Sequence, residues 1–478
     1  MFALILLNIF TSQAANNAFD IGLSKNVVAV YRNKLLNYLD NDIVNRPLGK
    51  DQPFKFFEGA FQINFNLLEP QVQSISYNTT TTGFTLTPPN IILVNLTRIN
   101  SVIVFNWNYK TAIGADYGTG KIYISNADFK SKVELVALPA GTLNLSVSDI
   151  SLTLNDYNLE LFGHRDTTQI RNVLNLFKKE IEYEIVSLAV SFIVNNVTKP
   201  TNENLSQSSM TAGISESIGF YYGLAANPIV SANSIQFNAK GVFVNPSSPN
   251  YSPSITGQNS VPDFKASSYN VQIYASDYTL NTLTNVFYLE GYFQGVINSS
   301  NTRLPLTTST LNYIIPGIEE TFTPNQPCKI VCNAQSYPSN VITAPDLLNK
   351  YGLIFTTFPA QCTVSVTSVN QVAIVLNISV QANSSLTIDD WYLAGNITIL
   401  KVTSLTVAKT YITGGTVNTE GMMDFLNLVA NLTIPFFNER FLNGGLKLPA
   451  LPGIDLSNSE LILNDHYLSI ISNPIFTN

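Results

Sequence analysis

The stretch YASDYTLNTLTNVFYLEGYF, residues 274–293, decides the fold class because the spacing of its apolar residues changes within it. Val271, Ile273 and Ala275 occupy alternate positions, and this period of two predicts a β-strand. Asp277 can then cap a helix. A strand is thus expected to pass directly into an amphipathic helix in the middle of a mostly β chain. The apolar face of that helix comprises Tyr278, Leu280, Leu283, Val286 and Phe287.

The first half of the chain begins with another amphipathic segment. Residues 19–44 carry apolar side chains at spacings of three and four, which predicts a helix over the whole segment, ended by Pro47 and Gly49. The stripe includes Leu23, Val27, Val30 and Leu35.

From Phe54 to Phe162 the apolar period is two, which predicts a meander of long strands. Turns are expected at TPPN, residues 87–90, and at GADYGTG, residues 114–120. A second long helix is predicted over residues 165–196, with Asp166 or Thr167 as its cap. Its apolar stripe includes Ile170, Leu174, Phe177 and Ile181.

Residues 244–264 contain four prolines and many serines and asparagines without periodicity, which is typical of a linker. At 478 residues the chain exceeds the roughly 250 to 300 at which one hydrophobic core stops growing, so we expect two lobes. The predicted division is residues 19–243, the linker, and residues 265–478. The second lobe repeats the plan of the first, with strands near 364–380 and 397–412 and a terminal helix from Glu420 to about Phe441.

The composition excludes some partners and indicates a cellular route. Charged residues make up only 12% of the chain and the net charge is −7, which argues against nucleic acid as a partner. An apolar run at the N-terminus followed by small residues predicts a signal peptide over residues 1–14, although an uncleaved core strand would have the same composition. No later segment has the roughly 20 apolar residues of a membrane span. We therefore expect a secreted or lumenal protein, and eleven Asn-x-Ser/Thr sequons fit glycosylation.

The three cysteines permit at most one intramolecular disulfide. Cys328 and Cys332 are too close along a predicted strand to pair with each other, so Cys362 is the expected partner of one of them. Our candidate pair is Cys332 with Cys362. Three cysteines and two histidines, scattered over the chain, do not predict a metal site.

Residues suited to catalysis are scarce. His164 and His466 each stand beside a predicted turn, where a histidine more often completes a loop than transfers protons. The sequence GTGK, residues 118–121, lacks the first glycine and the Ser/Thr of a phosphate loop, and we interpret it as a hairpin turn. We expect no enzyme activity and no cofactor.

The long helices instead indicate an enclosed apolar space in the protein. A curved sheet rolled round a long amphipathic helix leaves an elongated apolar tunnel, unless large side chains fill it. The stripes alone do not decide between a solid core and a tunnel occupied by an acyl chain.

Four segments resemble a known family. They are Ser276-Asp277-Tyr278 with Asn281-Thr282, GFYYGLAANP at 219–228, NVLNLFKKEIE at 172–182 and FNERFLNGGLKLP at 437–449. The four segments resemble segments of a family that includes bactericidal/permeability-increasing protein, lipopolysaccharide-binding protein, and the phospholipid and cholesteryl ester transfer proteins. They follow one another along the chain in the same order as in that family. The resemblance implies an α+β boomerang of two elongated antiparallel β-barrels, each wrapped on a long amphipathic helix and joined by a central β-sheet. It also implies an apolar pocket for a phospholipid in each barrel.

Two departures from the family pattern bear on function. No cysteine precedes Cys328, so the family's usual disulfide in the first barrel is absent. The basic tip of the bactericidal members is reduced to Arg46, Lys50, Lys55 and Arg98. An acidic protein is not steered to an anionic bacterial surface. We therefore favour carriage of a neutral phospholipid or sterol ester over the alternative, an innate-defence protein that binds lipopolysaccharide or microbial surfaces.

The predicted carrier is a monomer that holds acyl chains in two pockets and meets a membrane or lipid-particle surface transiently. A structural β protein with solid cores is a further alternative. The first pocket is predicted to be lined by Leu23, Val27, Val30, Leu35, Ile170, Leu174, Phe177 and Ile181, and the second by Leu280, Leu283, Phe287, Leu426, Val429 and Phe437.

Overall fold

The computed structural model describes the chain apart from a set of terminal and loop residues. The predicted signal peptide, residues 1–14, and Asp166 lie outside the described residues. The residues not described are 1–17, 42, 50, 59–60, 112–113, 165–166, 251, 254, 256–260, 265–268, 303–304, 347–351, 390–391, 440–444, 448–453, 456–457 and 477–478.

The fold is α+β and rich in antiparallel strands. In the first half these are β1 (Phe19–Ser24), β2 (Gln52–Glu58), β3 (Phe61–Ser76), β4 (Gly83–Thr87), β5 (Ile91–Thr111), β6 (Gly114–Ala137), β7 (Leu143–Thr153), β8 (Asp156–Gly163), β9 (Thr211–Gly213), β10 (Gly219–Tyr221), β11 (Ile229–Ser231), β12 (Ser234–Ala239) and β13 (Val242–Val244). In the second half they are β14 (Val271–Ser276), β15 (Gln294–Asn298), β16 (Cys328–Ala334), β17 (Ser339–Thr343), β18 (Leu353–Val366), β19 (Gln371–Asp389), β20 (Tyr392–Thr410), β21 (Leu446–Lys447), β22 (Ile454–Asp455), β23 (Ser459–Asn464), β24 (Tyr467–Ser472) and β25 (Ile475–Phe476).

The helices are α1 (Lys25–Asn41), α2 (Thr168–Leu176), α3 (Lys178–Phe192), α4 (Lys199–Gln207), α5 (Asp277–Leu289), α6 (Ser299–Thr302), α7 (Thr308–Leu311), α8 (Ile318–Phe322) and α9 (Thr419–Phe437). A π-helical segment (Ile193–Thr198) joins α3 to α4. Within the described residues, no helix combines the length and the apolar composition that crossing a membrane requires.

Each half contains one large antiparallel sheet. The first has the order β2-β3-β5-β6-β7, with β4 paired to β5 and β8 to β6, which confirms the predicted meander. Alternate residues such as Ile63, Phe65 and Leu67 are buried, as a half-buried strand requires. The second sheet has the order β15-β16-β18-β19-β20-β21, with β17 paired to β18.

A central six-stranded sheet joins the two halves. Its order is β11-β12-β1-β14-β24-β23, so each half supplies three strands. The two halves meet where β1 pairs antiparallel with β14, with Phe19 opposite Ala275 and Leu23 opposite Val271. Both of these strands lead directly into a helix, β1 into α1 and β14 into α5. The predicted change from strand to helix within residues 274–293 is confirmed, and it lies at this junction.

The prediction of helix from residue 19 onward was wrong. Phe19, Ile21 and Leu23 lie in β1, and the helix begins only at Lys25. A spacing of four from Leu23 to Val27 fits a helix, but the preceding alternate residues fit a strand equally well. The strand forms because β1 has hydrogen-bonded partners on both sides, β12 and β14.

The second long helix extends further than predicted and is not regular. It runs from Thr168 to Gln207, with an irregular residue at Phe177 and the π-helical segment before α4. Pro200 lies at the start of α4, and because the π-helical segment runs directly into α4, the missing N–H of Pro200 removes one backbone hydrogen bond from the continuous helix. The α-helical part of α9 agrees with its predicted start and is described as far as Phe437, and the predicted end near Phe441 lies outside the described residues.

The predicted turn at GTGK was wrong as well. Gly118 and Gly120 lie inside β6, opposite Gly163 and Leu161 of β8. A Cβ on Gly118 would lie 1.9 Å from the backbone oxygen of Phe162, and one on Gly120 would lie 2.4 Å from the ring of Phe105. These glycines therefore permit close packing inside a strand instead of forming a turn.

The central sheet buries a carboxyl group on the face opposite to its apolar core. Asp20 is 1% exposed, and its Oδ2 accepts a hydrogen bond from Nε2 of Gln236 at 2.7 Å. Among the described residues its Oδ1 has no partner. Burial, reinforced by the nearby charge of Asp263, raises the pKa of Asp20 from 3.8 to about 8.

This carboxyl group predicts a specific dependence of stability on pH. Because the folded pKa is raised, the folded state binds more protons than the unfolded state between pH 4 and pH 8. The free energy of unfolding should therefore fall as pH rises through that window, by at most about 1.4 kcal/mol per pH unit. The variant Asp20→Asn should lose this contribution. Denaturant titrations of both proteins from pH 4 to pH 9 measure it, and parallel curves would contradict the assignment.

Candidate ligand-binding cavity

A cavity of about 300 Å³ lies in the first half, between the long helix and the large sheet. The helix side is formed by α3, the π-helical segment and the start of α4. The sheet side is formed mainly by β3, β5, β6 and β7. The helix contributes Ile185, Leu188, Ala189, Phe192, Ile193, Val197, Thr198 and Thr201, and the sheet contributes residues that include Val72, Ile103, Ile122, Ile124, Phe129, Ser131, Val133, Leu145 and Val147.

The lining is almost entirely apolar. No charged side chain borders the cavity among the described residues, and its polar members are Ser101, Ser131, Thr198 and Thr201. A charged group would lose its hydration here without gaining a counter-charge, at a cost of several kcal/mol. The cavity is therefore chemically suited to a hydrocarbon chain or another uncharged group.

The local sequence explains why helix and sheet enclose this space. Ile181, Ile185, Leu188 and Phe192 form a buried stripe on α3, so one helix face is turned to the sheet. Further along, Asn202 holds α4 against β7, because its side chain bonds both backbone groups of Leu145. These two bonds measure 2.9 and 3.0 Å. Between the two attachments lies the wider π-helical turn, a feature frequently found at functional sites.

The described residues predicted for the first pocket do not line this cavity. Leu23 and Val27 are buried in the core under the central sheet. Leu174 and Ile181 are buried in the core of the first half, with Phe177 packed against them. Val30 is half-buried, and the side chains of Leu35 and Ile170 lie outside the described part. None of the six described residues borders the cavity, and their contact with a ligand stays a prediction.

The residues predicted for the second pocket fall into two groups. Leu280, Leu283 and Phe287 pack against the core under the central sheet. Leu426 is buried in the core of the second half, and Val429 is buried one turn further along α9. The side chain of Phe437 lies outside the described part. The structure thus does not bring the two groups into one cluster, and the second pocket also stays a prediction.

The polar motif at the start of α5 forms a structural clamp. Oδ1 of Asp277 accepts from the backbone N–H of Ile342 at 2.7 Å, and Oδ2 lies 2.7 Å from Nδ1 of His466. Oδ1 of Asn281 accepts from the backbone N–H of Asn340 at 2.6 Å. Burial raises the pKa of Asp277 against the opposing effect of these hydrogen bonds. These side chains therefore fix α5 to β17 and to the hairpin between β23 and β24.

The same clamp reaches the first half of the chain. The hydroxyl of Thr279 donates to the carbonyl oxygen of Ala18 at 3.0 Å. The hydroxyl of Thr282 accepts from the backbone N–H of Phe243 at 2.9 Å. The motif therefore links the two halves.

The cysteine prediction is confirmed. Cys332 and Cys362 form a disulfide between directly opposite residues of β16 and β18, with a Cα–Cα distance of 4.0 Å. Cys328 is a buried free thiol, and burial raises its pKa to about 11, so it is not a reactive thiolate near neutral pH. In the described ranges no group of His, Cys, Asp and Glu side chains could hold a metal ion.

The cavity residues were only partly visible in the sequence. Ile185, Leu188 and Phe192 belong to the predicted stripe, and the alternating strand residues mark the inner face of a sheet. Neither pattern distinguishes a residue that packs against its neighbours from one that borders empty space. The π-helical segment has no sequence signal that we recognised beyond Pro200.

Fold and cavity together define a class: an α+β protein of two halves, joined by a shared central sheet, with an apolar cavity between a long helix and a curved sheet. A family model for the LBP/BPI/CETP family, C-terminal domain, matches residues 212–473, which is more than half of the chain. The chain belongs to the LBP/BPI/CETP family.

Individual proteins also resemble this chain, at low identity. A BPI/LBP family protein of Arabidopsis thaliana is 20% identical over 462 residues, covering 92% of this chain and 90% of that protein. The crystal structure of lipopolysaccharide binding protein matches with a TM-score of 0.52 and 18% identity, covering 97% of this chain and 100% of that one. The structure of P47 of Clostridium botulinum E1 matches at a TM-score of 0.26 and 12% identity, too low to carry a structural argument.

Proposed function

We propose that this protein binds lipid and holds hydrocarbon in the cavity between the long helix and the first sheet. The observation that carries the proposal is the lining, which has no charged side chain among the described residues. Members of the family are lipid-binding or lipid-transfer proteins, which supports the same function.

The energetic reason is the cost of free lipid in water. Each methylene transferred from water to an apolar environment contributes about 0.8 kcal/mol, so a long chain needs an equally dry site to leave a membrane. The cavity offers such a site. A charged headgroup would stay outside it, and we propose that selectivity among headgroups is therefore weak.

The finer parts of the hypothesis remain proposals of the same kind. They are two closed barrels in a boomerang arrangement, a second pocket in the C-terminal half, and lobes at 19–243 and 265–478 joined by the linker. They also include a phospholipid as the ligand, a monomeric and secreted protein, transient contact with a membrane or lipid particle, and the absence of catalytic activity.

Organic extraction of the purified protein followed by mass spectrometry tests the proposed function. We expect an acyl lipid to be recovered in near-stoichiometric amount. After delipidation, the protein should take up a fluorescent acyl probe from phosphatidylcholine vesicles. Failure of both recovery and uptake would contradict lipid binding.

A further inference from the structure

Three hydroxyl groups border the cavity without a hydrogen-bond partner. Thr198 and Thr201 lie one turn apart where the π-helical segment passes into α4, and Ser131 lies on β6, on the sheet side. In the part of the chain that the structure describes, none of these three hydroxyls forms a hydrogen bond. The fourth hydroxyl of the lining differs, because Ser101 donates to the carbonyl oxygen of Ser74 at 2.9 Å.

Two of the three residues with unpaired hydroxyls are buried, and Thr198 is half-buried. Thr201 is 5% exposed and Ser131 is 7% exposed. Thr201 adjoins Asn202, whose bonds to Leu145 hold this turn against β7. Buried polar groups are nearly always paired in folded proteins. Because these residues line an otherwise apolar cavity, a bound ligand could supply the hydrogen-bond partner that their hydroxyls lack.

The chemistry of that partner follows from the lining. A hydroxyl can both donate and accept, so it pairs with a hydroxyl or a carbonyl oxygen. An ionised carboxylate or phosphate is excluded, because no described residue of the lining carries a charge to balance it. The matching ligand is an uncharged lipid segment that carries one oxygen function among methylene groups.

We propose that Ser131, Thr198 and Thr201 form a specificity site that selects lipids with an uncharged hydroxyl or carbonyl oxygen in the buried segment. The inference rests on the proposed function and adds the class of ligand to it. The oxygen could be supplied by a single-chain alcohol or by an oxygenated tail of a phospholipid, since both present the same chemistry to the three hydroxyls.

Two matched pairs of probes test this assignment on the delipidated full-length protein. The first pair is 1-hexadecanol and hexadecane, and the second is phosphatidylcholine with and without a hydroxyl on one acyl chain. We expect the oxygen-bearing member of at least one pair to bind about tenfold more tightly. Preference within the first pair alone indicates a single-chain source, and preference within the second indicates a phospholipid tail.

The triple variant Ser131→Ala, Thr198→Val and Thr201→Val removes the hydroxyls while nearly preserving volume. It should bind 1-hexadecanol and hexadecane with similar affinity, and so lose the preference of the unmodified protein for the alcohol. Ser206→Ala, an exposed hydroxyl on α4 that bonds the carbonyl oxygen of Glu203, is the control and should change neither value. Thermal unfolding checks that the variants fold.

The results separate this inference from the proposed function. Equal binding within both pairs by the unmodified protein would overturn the specificity site and leave lipid binding intact, since water would then satisfy the hydroxyls. A preference that survives in the triple variant would overturn the assignment to these residues. Binding of no probe would overturn the proposed function and this inference with it.

Discussion

Replacing Ala189 by tryptophan should yield a folded protein that carries no lipid. Ala189 borders the cavity from α3, and an indole ring projecting from this position would occupy space that a hydrocarbon chain needs. We expect the recovered lipid and the uptake of an acyl probe to fall at least about tenfold. Stability should change little, because the new ring fills existing space instead of being forced into a packed core.

Ser187→Trp is the matched control for this variant. Ser187 lies two residues earlier on the same helix and is exposed, so the same ring is added outside the cavity. Lipid content should then remain at the level of the unmodified protein. If Ala189→Trp retained its lipid and its thermal stability, the cavity would not be the binding site.

Replacing Asp277 by alanine should cause a large loss of stability. The variant leaves the buried N–H of Ile342 without an acceptor and removes the contact with His466. An unpaired buried donor costs roughly 1–3 kcal/mol, and the lost bond to His466 adds to this. We expect the free energy of unfolding to fall by about 3 kcal/mol, measured by denaturant titration.

Asp277→Asn separates the hydrogen bond from the charge. Asparagine retains an acceptor for Ile342, and because burial raises the pKa of Asp277, a neutral side chain avoids part of the desolvation cost. This variant should lose less than half as much stability as the alanine variant. If both variants lost the same stability, the hydrogen bond accepted from Ile342 would not be the source of the stability that Asp277 contributes.

The elements predicted best from the sequence are those that local spacing determines. The strands between Phe54 and Phe162, the helix that starts at Asp277 and the terminal helix near Glu420 all have one apolar period over many residues. Local reasoning also excluded a bridge between Cys328 and Cys332, which lie on one strand, and left Cys362 as the partner of one of them; the structure shows that this partner is Cys332.

The failures share a different cause. Leu23 satisfies both a strand and a helix pattern, and only the neighbouring strands β12 and β14 decide between them. Gly118 and Gly120 have the composition of a turn, yet contact with β8 and Phe105 places them inside a strand. In each case long-range packing overrides the local preference, and one sequence does not reveal it.

The candidate site shows the same division between local and long-range information. The apolar stripe of the long helix was predicted, but Leu174 and Ile181 at its beginning are packed into the core. The cavity opens only from Ile185 onward, where the helix passes into the π-helical segment. The substitution Leu174→Asp is therefore unsuitable as a test of lipid binding. It would bury an unpaired charge in the core and unfold the protein.

Photo-crosslinking tests the central claim, that hydrocarbon occupies the cavity under the long helix, most directly. A phosphatidylcholine with a diazirine in one acyl chain would be loaded into the delipidated protein, irradiated and mapped by peptide mass spectrometry. We expect crosslinks to α3 and the π-helical segment, at residues such as Leu188, Phe192 and Val197, and to the inner face of β6. Crosslinks confined to other parts of the chain, with none in these segments, would contradict it.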